Sequence, residues 1–266
     1  MSALHVREAG AGPAVVLLHA FPCDGRLWSA QMESIAGSGW RVVVPDLPGF
    51  GSSPLADAAP DLDAVADAVI DYLAREGTDR CVLGGVSLGG YVAMAMMRRR
   101  PDLVAGLILC DTKATADDEG ARASRERLAT LCLASPGDTA RILEQAVLPG
   151  LLGDTTRSAR PDVVERVRGW LSDVDAGTVA WYQRAMAGRP DSLATLADAA
   201  VPTLIVYGDE DTLSPRAEQD LMLGANPESQ VVVVPGAGHL ALIEDAPAVS
   251  AAMGHFLDLI KDLQTS

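Results

Sequence analysis

Ser87 sits at the centre of Gly85-Val86-Ser87-Leu88-Gly89, where an apolar run ends and a helical pattern begins. A serine hydroxyl is a poor nucleophile at neutral pH; it attacks a carbonyl only when a base takes its proton and an acid holds that base in the right tautomer. The glycines two residues to either side remove the Cβ atoms that a sharp strand-to-helix turn would crowd, and such a turn pushes the hydroxyl into a cleft. In a chain with 25 glycines the string alone is weak evidence. The case depends on whether a base and an acid fall where they can reach it.

Four histidines are available as the base. His5 precedes the first core strand, and His255 lies beside Met253 and Phe256 on a helical face, where packing explains it better than catalysis. His19 directly follows the first apolar run. His239 closes the loop Pro235-Gly236-Ala237-Gly238-His239 just past the last strand-like run. In a parallel sheet the loops after the strands gather on one edge, so Ser87, His19 and His239 all fall there. Where this chemistry is built on such a sheet the chain order is serine, carboxylate, histidine, which selects His239. The acid then belongs to Gly208-Asp209-Glu210-Asp211-Thr212-Leu213-Ser214-Pro215, where three carboxylates compete. Spacing alone does not choose among them.

The elements that must position these residues alternate. Continuous apolar runs at 15–18, 41–44, 81–83, 104–110, 203–207 and 231–234 read as buried strands. Between them, 27–35, 62–75 and 91–100 read as helices, and a longer amphipathic helix is predicted over 248–263. This alternation predicts an α/β fold with a mostly parallel, doubly wound sheet of about seven to eight strands. From 114 to 189 the alternation stops. Helical patterns at 122–133, 139–147, 163–174 and 178–187 exceed what one crossover needs, so they predict a helical cap inserted over the sheet. The expected division is a core of residues 1–113 and 190–266 with a cap of 114–189.

A net charge of -15 speaks against a nucleic-acid surface, which needs clustered Lys and Arg. No apolar run approaches membrane-spanning length, and the start, residues 1–10, lacks the apolar centre of a signal peptide. Cys23, Cys81, Cys110 and Cys132 have no metal-ligand spacing and read as buried reduced thiols. These features predict a cytoplasmic protein, monomeric or homodimeric, that binds neither membrane nor nucleic acid.

The motifs together resemble the α/β-hydrolase superfamily, in the group of small esterases and lactonases that includes 3-oxoadipate enol-lactonases and pimeloyl carrier-protein methyl ester esterases. The resemblance runs through Leu17-Leu18-His19-Ala20-Phe21-Pro22, Asp46-Leu47-Pro48-Gly49-Phe50-Gly51-Ser52-Ser53, the serine turn, the acid loop and Gly236-Ala237-Gly238-His239, and so covers nearly the whole chain. The family's acid-loop pattern falls on Gly208, Asp211 and Pro215, which implies Asp211, with Asp209 as runner-up. The backbone amides of Phe21 and Leu88 are implied as the oxyanion hole, and His19 as the residue that shapes its loop. Ala20 departs from the family's usual glycine. The single strand that fits before Val15 implies a shortened first hairpin.

The expected activity is therefore hydrolysis of a carboxylic ester, lactone or similar acyl bond of a small molecule by Ser87, His239 and Asp211, with no cofactor or metal. Carbon–carbon bond hydrolysis and perhydrolysis by the same triad are alternatives, as is a non-hydrolytic cyclase, lyase or small-molecule receptor on the same scaffold. Candidate substrate contacts are His19, Trp181 and Tyr182. Arg125 and Arg184 are cations that could receive an acidic substrate, although a solvated helix face explains them equally well.

Overall fold

The computed structural model describes residues 4–55 and 57–265; the first three residues of the segment read for a signal peptide lie outside them. Seven strands form one sheet: β1 (Val6–Ala9), β2 (Ala14–Leu18), β3 (Arg41–Pro45), β4 (Cys81–Val86), β5 (Val104–Cys110), β6 (Thr203–Gly208) and β7 (Gln230–Val234). Their spatial order is β1-β3-β2-β4-β5-β6-β7. Only β1 runs antiparallel, against β3; every other pairing is parallel. Among the described residues one short strand, β1, precedes β2.

Strands β2, β4 and β5 are buried along their whole length, as expected when helices cover both faces of a parallel sheet. The covering helices are α1 (Ser29–Ala36), α2 (Leu62–Arg75) and α3 (Leu88–Arg99) from the first half of the chain. The insertion contributes α4 (Glu119–Ala134), α5 (Thr139–Ala146), α6 (Leu148–Leu151), α7 (Asp154–Ala159), α8 (Pro161–Ser172) and α9 (Ala176–Gly188). It is followed by α10 (Leu193–Ala197), α11 (Arg216–Ala225), α12 (Ala241–Glu244) and α13 (Ala246–Thr265). Helix α1 packs with α13, while α2, α3, α10 and α11 follow one another in a row.

From β2 the chain winds one way to β3, and β4 then lies on the other side of β2. The switch point of the sheet is therefore the β2–β4 pair, where ligands bind beyond the strand ends in such folds. The turn after β2 carries Phe21, and the turn after β4 carries Ser87.

Strand β4 continues three residues beyond the predicted 81–83, and α3 starts at Leu88 rather than at 91. Gly84, Gly85, Gly89 and Gly90 hid both boundaries, because glycine disfavours either element where packing does not require it. Two short helices in the insertion, α6 and α7, were not visible in the pattern. Pro149 and Gly150 read as punctuation, yet proline is tolerated in the first turn of a helix, where α6 holds it. A backbone hydrogen bond from Ser192 N to Ala114 O (2.8 Å) ties the two ends of the helical stretch together. All four cysteines are free and buried.

Candidate active site

The turn between β4 and α3 holds Ser87 at φ +52°, a region that non-glycine residues rarely occupy. Its neighbours explain the persistence of that conformation. A Cβ on Gly85 would lie 2.2 Å from Gly89 O, and one on Gly89 would lie 2.0 Å from Leu18 O. Strand β2, β4 and the start of α3 therefore approach more closely than any side chain allows. Ser87 N donates to Cys110 O (3.0 Å), and the Thr112 hydroxyl donates to Ser87 O (2.8 Å), which fastens the turn to the end of β5.

His239 Nε2 lies 2.7 Å from Ser87 Oγ, and His239 Nδ1 lies 2.9 Å from Asp211 Oδ2. All three side chains are buried. Asp211 is held by its own loop: Oδ1 accepts from Leu213 N (2.8 Å) and Ser214 N (3.1 Å), and Oδ2 accepts from the Ser214 hydroxyl. Asp209 points elsewhere and accepts from Gly236 N. Glu210 accepts from Thr155 N and the Thr155 hydroxyl. Of the three carboxylates in this loop, Asp211 is therefore the one that reaches His239.

The electrostatics suit proton transfer. Burial disfavours the His239 cation, but the charge and hydrogen bond of Asp211 outweigh it and hold its pKa above the ordinary 6.5. Burial likewise works against the Asp211 carboxylate, and His239 with the Ser214 donors brings its pKa below the ordinary range. A third carboxylate, Asp111, stands behind the pair at the end of β5. Its Oδ1 accepts from Gly208 N (2.9 Å) and its Oδ2 from Ala241 N (3.0 Å), so it fastens the two segments that flank Asp211 and His239. Burial and the like charge of Asp211 push its carboxyl up to about 8. Sequence reasoning passed over Asp111; the available signal was a carboxylate directly after an apolar strand on the edge that carries Ser87 and His239.

The histidine loop is also anchored. Buried Glu244 accepts from Gly238 N (2.9 Å) and Leu240 N (3.2 Å) through Oε1, and from Gly153 N of the helical insertion (2.9 Å) through Oε2. In the loop after β2 the Phe21–Pro22 peptide is cis. The backbone N–H groups of Phe21 and Leu88 donate to no protein acceptor among the described residues.

A cleft of about 700 Å³ opens onto Ser87 and His239, with Phe21 at its wall. From the insertion it is lined by Leu128, Leu131, Leu151, Gln183 and Met186 and by the cations Arg125 and Arg127; Lys113 and Asp117 complete that side. The three expected substrate contacts are not part of this lining. His19 is fully buried, its Nε2 accepting from Leu47 N (2.9 Å) and its Nδ1 donating to Ala20 O (3.0 Å), so it braces the loop. Trp181 Nε1 donates to Ala58 O (2.8 Å), and Tyr182 is buried against Phe50 and Trp181. Both aromatics pack the insertion onto the core because their helical face is turned toward it. Of the two candidate arginines, Arg125 lines the cleft, whereas Arg184 pairs with Glu126 on the outer surface.

Known proteins share this arrangement of elements. Residues 15–252 match the model of the alpha/beta hydrolase family. A pimeloyl-[acyl-carrier protein] methyl ester esterase of Aeromonas hydrophila is 30% identical over 257 residues, covering 95% of this chain and 98% of that protein. A thermophilic esterase from Thermogutta terrifontis, solved with malate bound, superposes with a TM-score of 0.91 at 37% identity, covering 97% of this chain and 93% of that one. The enol-lactonase of Burkholderia xenovorans shares the fold, with a TM-score of 0.86 at 24% identity over 96% of each chain. Among the described residues no helix is long and apolar enough to cross a membrane. With a family match over most of its length and relatives of this kind, the chain belongs to the α/β-hydrolase family, in its esterase group.

Proposed function

We propose that the chain is a serine hydrolase that cleaves a carboxylic ester or lactone of a small molecule, with Ser87 as nucleophile, His239 as general base and acid, and Asp211 as the residue that orients His239. The observation that carries this reading is the chain of contacts from Ser87 Oγ through His239 to Asp211 Oδ2, at 2.7 and 2.9 Å, around a serine held at positive φ.

Neutral His239, with its Nδ1–H donated to Asp211, accepts the Ser87 proton as Oγ attacks the carbonyl carbon. The carbonyl oxygen becomes negative and is received by the free amides of Phe21 and Leu88, where a lost donor costs about 3–4 kcal/mol of transition-state stabilisation. The imidazolium returns its proton to the departing alkoxide, and an acyl-enzyme forms. Water, deprotonated by the same histidine, then releases the acid. These side chains, two amides and water supply every proton and electron pair, so the reaction calls on no cofactor.

Residues 114–189 serve in this reading as a cap whose helices α4, α5 and α9 wall the acyl pocket. The relative named for a methyl ester makes small methyl esters, alongside p-nitrophenyl esters, the natural first substrates. The test is hydrolysis of p-nitrophenyl acetate together with labelling by a fluorophosphonate probe, in the parent and in Ser87→Ala. Loss of both signals in the variant is expected; a variant that keeps the parent's rate and label removes Ser87 as nucleophile.

A further inference from the structure

The buried side chains of α11 are Met222 and Gln219. A methionine facing the core is ordinary packing, whereas a glutamine only 3% exposed needs a reason. Gln219 Nε2 donates to Ser214 O (2.8 Å) and to Thr112 O (2.9 Å), which uses both of its protons. Both acceptors are carbonyls, so the amide stands with its NH2 toward them, and Oε1 is left buried with no hydrogen-bond partner among the described residues. A buried acceptor in that state costs stability. Packing alone would be served by an apolar side chain; what the amide adds is a bond between two separate segments.

Those segments lead to two members of the triad. The Thr112 hydroxyl donates to Ser87 O (2.8 Å), and Thr112 is wedged against the start of α3, since a Cβ on Gly90 would lie 2.5 Å from its Oγ1. Ser214 donates to the Asp211 carboxylate through both its N–H (3.1 Å) and its hydroxyl. Gln219 thereby closes a ring of hydrogen bonds: Ser87 to His239, His239 to Asp211, Asp211 to Ser214, Ser214 to Gln219, Gln219 to Thr112, and Thr112 back to Ser87. Every residue of the ring is buried. Asp111 pins the acid loop at Gly208 and Gln219 pins it at Ser214, with Asp211 between the two. An imidazole is rigid, so His239 meets both partners only at one separation of Ser87 from Asp211.

We propose that Gln219 is a positioning residue for hydrolysis at Ser87: by joining Thr112 to Ser214 it fixes the separation of nucleophile and acid across which His239 works. This rests on the reading of Ser87 as nucleophile. Gln219 is not part of the cleft lining and neither gives nor takes a proton in the reaction. Without its amide the acid loop and the end of β5 shift independently, and one of the two His239 contacts lengthens. The cleft that holds the substrate keeps its walls. The signature is therefore a fall in kcat with KM retained.

The experiment measures kcat and KM for p-nitrophenyl acetate in Gln219→Leu, in Thr112→Val and in the two combined. Each single variant should lower kcat by about tenfold with KM within about twofold of the parent's, the scale of a loosened contact rather than a lost group. Both substitutions open the same ring, so the double variant should lose about tenfold in place of the roughly hundredfold of independent effects. Thr112→Ser, which keeps the hydroxyl, should recover most of the rate. Asn226→Leu removes a buried donor at the other end of α11, where Nδ2 donates to Thr203 Oγ1 (3.3 Å), and should lower the melting temperature while keeping kcat. A folded Gln219→Leu with the parent's kcat, a loss expressed in KM, losses that multiply in the double variant, or an equal loss of kcat in Asn226→Leu overturns the positioning role and leaves the serine mechanism intact. Activity that persists in Ser87→Ala overturns the mechanism itself. If Gln219→Leu does not fold, the parent answers alone through its side-chain amide signals in 15N NMR: labelling Ser87 with a fluorophosphonate should shift the Gln219 Nε2 signals and leave the Asn226 Nδ2 signals in place. Gln219 signals that do not move overturn the proposal.

Discussion

Gly89→Ala sets two physical effects against each other. Gly89 is the second residue of α3, and inside helices alanine is favoured over glycine by about 1 kcal/mol, so propensity alone predicts stabilisation. The packing predicts the reverse. The new Cβ would stand 2.0 Å from Leu18 O and 2.5 Å from Leu18 C, whereas Cβ atoms essentially never come within 3.0 Å of a neighbour. The start of α3 and the end of β2 must then part by about 1 Å, and both are buried backbone that cannot rotate aside. Overpacking of this kind costs about 1–3 kcal/mol. Leu18 leads through His19 and Ala20 to Phe21, and Gly89 follows Leu88, so the same displacement widens the gap between the two amides assigned to the oxyanion. Misplacement by about 1 Å costs about a hundredfold in rate. The assay pairs thermal unfolding with kcat on p-nitrophenyl acetate, and the comparator is Gly254→Ala in α13, where no atom lies within 4 Å of the added Cβ. Gly254→Ala should keep the parent's rate and gain up to about 1 kcal/mol. If Gly89→Ala matches it in both melting temperature and kcat, the close approach described here does not hold.

Asp211→Asn should lower kcat by about 10⁴-fold, the scale of the equivalent change in serine proteases, because an amide facing Nδ1 favours the wrong histidine tautomer; Asp209→Asn should change kcat by less than about tenfold. A comparable loss in both would return the choice of acid to the open. The base must be neutral to act, and Asp211 holds the His239 pKa above 6.5, so kcat/KM should rise with pH through a midpoint above that value. A midpoint below 6.5 in the pH–rate profile contradicts this. Asp111 binds its proton in the folded state up to about 8 but releases it above 3.8 when unfolded, so its contribution to stability falls as pH rises through that window. His239, raised by Asp211, acts in the same direction above its unfolded value. Urea midpoints should therefore be lower at about pH 9 than at about pH 6, and Asp111→Asn should narrow the difference.

The sheet and the positions of Ser87 and His239 were legible because each depends on local pattern: buried strands are continuous apolar runs, and small-residue loops follow them. Chain order then separated His239 from His19. The choice between Asp209 and Asp211 was not legible from spacing, since both lie in one loop and differ only in the direction the backbone gives them. That direction is set by long-range contacts, Asp209 turning to Gly236 N and Asp211 to His239. The same limit applied to Trp181 and Tyr182. Helical periodicity marks an apolar face but does not say whether a cleft or the core lies opposite, and here Phe50 and Ala58 O lie there. Lys113 and Asp117 escaped notice because a connecting segment has no periodicity to read.

Glu244 bears on how freely this scaffold can be recombined. Exchanging residues 114–189 for the corresponding stretch of another hydrolase is an obvious route to new selectivity, and the joined ends at Ala114 and Ser192 make it look simple. Yet Gly153 N is one of three donors on the Glu244 carboxylate, and the other two belong to the loop that carries His239. Thr155 is tied in the same way to Glu210, next to Asp211. A transplanted segment without equivalents of Gly153 and Thr155 would leave both carboxylates short of donors and loosen the machinery it was meant to redirect. Chimeras should therefore keep residues 153–155 of the host and vary the helices on either side.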